Sequence, residues 1–181
     1  MQKELTTRIA KASTALRMLN KIWKNKSISV KTKMKLYRAN VISVLTYGCE
    51  TWQLKLKEEQ QIESFHYQCL RKILKIDWRK HVSNIEISKV ANIPSALQVI
   101  KRQRLKWFGH IQRMPRNRLP KKLLEWEPSN GATKPGKPKT TWKDTIKRDL
   151  MDMKITYEEA EAMARDRKQW LSMIDALCTN R

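Results

Sequence analysis

The stretch Leu97–Met114, LQVIKRQRLKWFGHIQRM, decides how the rest of the chain is read. Leu97, Ile100, Leu105, Phe108 and Ile111 recur at steps close to three and four, the spacing of an apolar stripe along one side of a helix. Between them stand Lys101, Arg102, Arg104, Lys106 and Arg113, with Trp107 among the cations. The apolar stripe calls for other helices to bury it. The cationic face with its aromatic ring suits a phosphate backbone with exposed bases. A packed amphipathic helix whose basic face is merely solvated accounts for the same spacing. Gly109 and His110 interrupt the run of helix formers just before Arg113, and the spacing gives no reason for them.

Working outward, Ser83–Ala91 reads as a short helix, with Ser83 at the N-cap and Glu86 completing a capping box. Pro94 in the turn Asn92-Ile93-Pro94-Ser95 stops that helix before the next begins. Short helix, tight turn and long basic helix form a helix-turn-helix outline, which also occurs wherever two helices simply pack. Further upstream, Leu5, Ile9, Ala12, Leu16, Leu19 and Trp23 predict a helix over 2–23. Ser29 predicts a cap for a second helix over 30–47, closed by Gly48 in a left-handed conformation. Lys31, Lys33, Lys35 and Arg38 crowd the first turns of this helix, where cations oppose the dipole. A bound phosphate would explain them, and so would a solvated face. Ile62, Phe65, Cys69, Leu70 and Ile73 predict a third helix over 58–75.

Downstream, residues 114–139 hold five of the six prolines and two of the four glycines. Arg116, Arg118, Lys121, Lys122, Lys134, Lys137 and Lys139 run through them. A short helix over 119–126 starts with Pro120 in its first turn, and 129–139, SNGATKPGKPK, reads as an extended basic loop or a solvated linker. Thr140 or Thr141 caps a helix to about Met153, with Trp142, Ile146 and Leu150 inward and Lys143 on its first turn. Thr156 and Glu159 open a last helix whose stripe includes Trp170 and Ile174. Strand periodicity is almost absent. The expected fold is all-α, with about six to seven helices, a long basic Pro-rich loop and no substantial sheet. The expected segments are 1–56, 57–114 with the helix-turn-helix outline, a loop at 115–140 and a helical hairpin at 141–181.

Charge narrows the function. Thirty-nine Lys and Arg against seventeen Asp and Glu give a net charge of +22 in 181 residues. Such a field opposes compaction by self-repulsion, so a polyanionic partner, RNA or DNA, is expected. Residues 1–100 carry 19 basic and 7 acidic side chains, 101–150 carry 15 and 4, and 151–181 carry 5 and 6. The density of positive charge therefore peaks in the middle segment. No apolar run approaches the ~20 residues of a membrane span, and no apolar signal region opens the chain. Three cysteines, an odd number with no close pairing, suit a reducing compartment, and the basic loop suits nuclear import.

Catalytic signatures are missing. Cys49, His66 and Cys69 do not have the spacing of paired zinc ligands, and Cys69 fits a core position. The sequence holds no phosphate-cradling glycine loop, no nucleophile motif and no Asp-Asp pair. Its acids stand at helix starts or singly among cations, where dipole and capping roles account for most of them. No intrinsic catalysis, metal or cofactor is expected. The candidate contacts to nucleic acid are Lys31, Lys33, Lys101, Arg102, Arg104, Lys106, Trp107, His110, Arg113, Arg116, Arg118, Lys121, Lys122, Lys134, Lys137, Lys139 and Lys143. Backbone gripping is favoured over base readout.

YGCETW (47–52), LRKILKIDW (70–78), SNIEI (83–87), RLKWFGHIQRM (104–114), GKPKTTWKD (136–144) and DRKQW (166–170) occur in that order. The ordered set resembles the C-terminal region of the endonuclease–reverse transcriptase polyproteins of non-LTR retrotransposons, LINE-like and of the RTE type. The resemblance covers nearly the whole chain. It implies that the polymerase and endonuclease sites lie in upstream domains, which would be partners of this region. It implies a thumb over 1–56, beside the template–primer duplex, followed by a post-thumb accessory region that helps hold RNA template and target DNA. The chain departs from the pattern at GKPKTTW, where relatives more often carry arginine. It also lacks the CCHC zinc knuckle of some related elements. A structural fragment inert without the upstream domains, or a helix-turn-helix DNA-binding protein, would share many of these features.

Overall fold

A computed structural model describes residues 2–126 and 140–179. Its described residues are all-helical, with no strand. They fall into two compact units, one made of 1–49 and 54–100, the other of Glu50–Gln53 and 101–181. The division cuts across the four segments expected from sequence, because Glu50–Gln53 is drawn into the second unit and the 57–114 segment is split at Ile100/Lys101.

The first unit begins with α1 (Gln2–Met18) and α2 (Asn20–Lys24). Sequence periodicity runs through both as one helix. The structure breaks it at Leu19, whose backbone leaves the helical region. The break lets Trp23, 1% exposed, donate its indole N–H to the Leu16 carbonyl at 2.8 Å. The next predicted helix is also composite: α3 (Val30–Tyr37), a π-helical turn over Arg38–Ile42 and α4 (Ser43–Leu45). Asn40, Ser43 and Thr46 each donate a side-chain hydrogen bond to the carbonyl four residues back, an arrangement that competes with regular helix bonding. Gly48, at φ +71°, ends the segment as its sequence requires. α1 packs on the π turn, α4 and α5 (Leu56–Leu74), and α5 packs on α6 (Asn84–Ala91). Leu5, Ala12, Tyr37, Val41, Leu45, Ile62, Leu70 and Ile87 are buried there. Tyr37 and His66 meet inside this core, with 3.0 Å between Oη and Nδ1, while His66 Nε2 has no hydrogen-bond partner.

α7 spans Ala96–Gln112, α8 Leu119–Glu125, α9 Trp142–Met151, α10 Tyr157–Met163 and α11 Arg167–Thr179. The second unit's core gathers Leu105, Phe108, Ile146, Leu150, Ala160, Ala164, Trp170 and Ile174. The expected last helix is two helices. Asp166 accepts backbone N–H bonds from Lys168 and Gln169, so α11 begins afresh at a new cap. These breaks make the helices more numerous than expected. Residues 127–139 of the Pro-rich loop lie outside the described residues; its first part forms the turn at 115–118 and α8, with Pro120 in the first turn.

Candidate nucleic-acid interface

The basic residues of α7 separate into two groups. On one side cations are held by carboxylates of the second unit. Lys101 pairs with Asp152, and Arg102 pairs with Asp175 at 2.6 Å. Arg104 departs furthest from expectation. It is 2% exposed, holds Asp149 through Nε at 2.6 Å and Nη2 at 3.1 Å, and donates through Nη1 to the Trp52 carbonyl at 2.9 Å. A guanidinium with this bidentate partner and no solvent cannot also grip a phosphate, so Arg104 leaves the candidate set for a structural role. Arg113 donates to the Ala164 carbonyl at 2.6 Å, at the C-terminal end of α10. Burial, and then the nearby Arg167 cation, lower its pKa from the ordinary value.

Gly109 has a physical reason that spacing did not supply. The Trp170 ring lies directly on it, and an added Cβ would come within 2.3 Å of Trp170 Nε1. The same nitrogen donates to the Leu105 carbonyl at 2.9 Å. Glycine is needed here for close approach of a neighbouring ring rather than for an unusual φ. Glu50 and Trp52, from YGCETW, also serve packing: the Glu50 carbonyl accepts from Trp142 Nε1 at 2.8 Å, as the Trp52 carbonyl accepts from Arg104.

The other group is Lys106, with Trp107 and His110 beside it. Lys106 and Trp107 are half-buried and His110 is exposed. The Trp107 and His110 rings lie 5.3 Å apart, tilted at 39°. The chain then turns and presents Arg116 and Arg118, followed by Lys122 on α8, all exposed. No Asp or Glu occurs anywhere in 87–124. The run Lys106 to Lys122 holds most of the described candidate residues of the second unit in one stretch of sequence. Lys121 is the exception within it, 9% exposed, bonded to Gln112 and 3.6 Å from Glu125. Lys143 is half-buried, with its ammonium 5.4 Å from the Tyr157 ring centre, beside Lys147 at 5.9 Å. Lys147, exposed on α9, was not among the candidates.

In the first unit Lys31 is exposed, whereas Lys33 is 6% exposed and donates to the Asn25 carbonyl at 2.6 Å. Lys33 therefore fastens the turn before α3 and is not available to a phosphate. The helix-turn-helix outline exists as α6, a turn and α7. The leading turn of α7 is taken up, however: Leu97 N–H donates to Glu63 at 2.8 Å, and Ala96 and Ile100 are fully buried. A groove-reading helix needs that turn free. Lys134, Lys137 and Lys139 lie outside the described residues.

Among the described residues no group of three or more His, Cys, Asp or Glu is placed to hold a metal. Many carboxylates have structural partners: Glu58, Glu86, Asp144 and Glu159 each accept the backbone N–H of a helix N-cap residue. Among the described residues no helix is long and apolar enough to cross a membrane.

The chain is 25% identical over 157 residues to an uncharacterized transposon-derived protein of Caenorhabditis elegans. The match covers 83% of this chain and 56% of that protein, so the chain spans about half the length of the relative it matches. No protein-family model matches the sequence, and no solved structure matches it.

Proposed function

We propose that this chain is a nucleic-acid-binding region of transposon origin, equivalent to the thumb and post-thumb part of a LINE-like, RTE-type reverse transcriptase. In this reading it grips RNA template and target DNA through the phosphate backbone, in the nucleus, beside upstream polymerase and endonuclease domains. It supplies no active site of its own. The observation that carries the reading is the run Lys106 to Lys122, in which Arg116, Arg118 and Lys122 are exposed and which has no carboxylate in the sequence from 87 to 124. The likeness to a transposon-derived protein supports the origin.

The mechanism follows from the charge. Lys106, Arg116, Arg118 and Lys122 would replace condensed counterions on the backbone, so affinity falls steeply with salt and depends little on sequence. The internally paired cations Lys101, Arg102 and Arg104 fix α7 within the second unit. The test is electrophoretic mobility shift of RNA, hybrid and duplex DNA over a salt series. Expected is binding at low salt with a linear loss in log–log form. Absence of binding to all three at low salt refutes the reading.

A further inference from the structure

Trp107 differs from other tryptophans of the chain. Trp23, Trp142 and Trp170 each donate an indole N–H to a backbone carbonyl, at 2.8, 2.8 and 2.9 Å. These bonds fix the rings as packing elements. The Trp107 N–H has no such partner among the described residues. Trp107 is also absent from the second unit's core and from the half-buried side chains packed against it. Its neighbour is the exposed His110 ring, one helical turn further on. The pair therefore forms an aromatic step on α7, with Trp107 half-buried and His110 exposed, next to Lys106 and followed by Arg116 and Arg118.

We propose that the Trp107–His110 pair is a stacking platform for an unpaired base, which makes single-stranded RNA or DNA, rather than a closed duplex, the preferred ligand of this strip. The proposal rests on nucleic-acid binding by the same strip and adds what that binding selects. Backbone cations alone treat any phosphate chain of equal charge alike. A ring gains only from a base that has left its stack, and every base has a face to offer, so preference is for strandedness and not for sequence. Lys106 and the cations after His110 hold the phosphates on either side of such a base. Trp126, 66% exposed just after α8, follows the exposed Leu119 and Leu123 and has no paired ring among the described residues, which makes it the natural control.

The experiment compares three probes by fluorescence anisotropy: a 12-nucleotide strand, the same strand with abasic sites throughout, and the strand in a duplex. Expected is tighter binding of the base-bearing strand than of the abasic one by about fivefold or more, the range one stacked base supplies. Trp107→Ala brings the base-bearing strand to the abasic level and leaves the abasic affinity and the salt slope unchanged. Trp107→Phe retains most of the preference, and an unchanged denaturation midpoint shows that each variant is folded. Equal affinity for base-bearing and abasic strands overturns the platform while leaving backbone gripping intact, as does a preference that survives Trp107→Ala or disappears with Trp126→Ala. Failure of every probe to bind at low salt overturns the underlying reading as well.

Discussion

Replacing Gly109 by alanine sets two effects of opposite sign against each other. In the interior of a helix, alanine gains about 1 kcal/mol over glycine. Propensity alone therefore predicts a more stable protein. The structure predicts the reverse. The new Cβ would lie 2.3 Å from Nε1 and 2.4 Å from Cδ1 of Trp170, atoms of a rigid ring that is fully buried. The ring must move by roughly 1 Å to restore contact distance, and overpacking of this kind costs about 1–3 kcal/mol. The Trp170–Leu105 hydrogen bond, 2.9 Å, is strained or lost, which adds about 1 kcal/mol. After the helix gain, Gly109→Ala is expected to destabilise by about 1–3 kcal/mol. Urea denaturation followed by far-UV ellipticity measures this. Combining it with Trp170→Phe, a smaller ring without the indole nitrogen, should give a smaller loss than the two singles predict, with coupling above about 0.5 kcal/mol. A variant as stable as the parent, or strict additivity in the pair, refutes the close-contact account.

Asp149→Ala leaves the Arg104 guanidinium buried without its carboxylate and should cost about 3–5 kcal/mol in denaturant, whereas Arg104→Met with Asp149→Leu should recover most of it. Neutralising Lys106, Arg116, Arg118 and Lys122 together to glutamine should lower the salt slope for a single strand by about 3, while Arg165→Gln with Arg167→Gln leaves it nearly unchanged; equal effects would mean the charge acts only as a diffuse field. Burial holds His66 down to about 4, below its ordinary 6.5. Between those values the unfolded chain binds the extra proton, so stability should fall as pH drops from about 6.5 to 4, by up to about 3 kcal/mol at the lower end. His66→Leu should flatten that difference in parallel denaturation curves, and an identical pH profile would assign the loss to other groups.

The helical class was legible because apolar spacing and caps agree at several helix ends: Ser29, Ser83, Thr141 and Thr156 each accept the N–H three residues on. The break before α11 was also written in the chain, since Asp166 is a cap residue, but an apolar stripe that continues through it obscured the stop. The break at Leu19 and the π turn were not legible, because they depend on where Trp23 and Tyr37 find partners. For the candidate site, Arg104 had a readable warning. It stands between Ile100 and Phe108 at four-residue steps, in the middle of the apolar stripe. Asp149 likewise sits three after Ile146, on the inward face of α9. A charge on each of two apolar stripes implies that they meet, yet only the fold says that these two pair. Gly109 could not be read, since its reason is a ring 61 positions away.

The placement of Glu50–Gln53 in the second unit bears on how the protein is made. Glu50 offers its carbonyl to a tryptophan 92 residues later, and Trp52 offers its own to an arginine 52 residues later. At ribosomal speeds of about 5–20 residues per second, Glu50 leaves the ribosome about 5–20 s before Trp142 does. These four residues thus wait, already made, for the rest of their unit, and the second unit cannot be expressed whole as 101–181. A working fragment would need these four residues fused to it or supplied as a peptide.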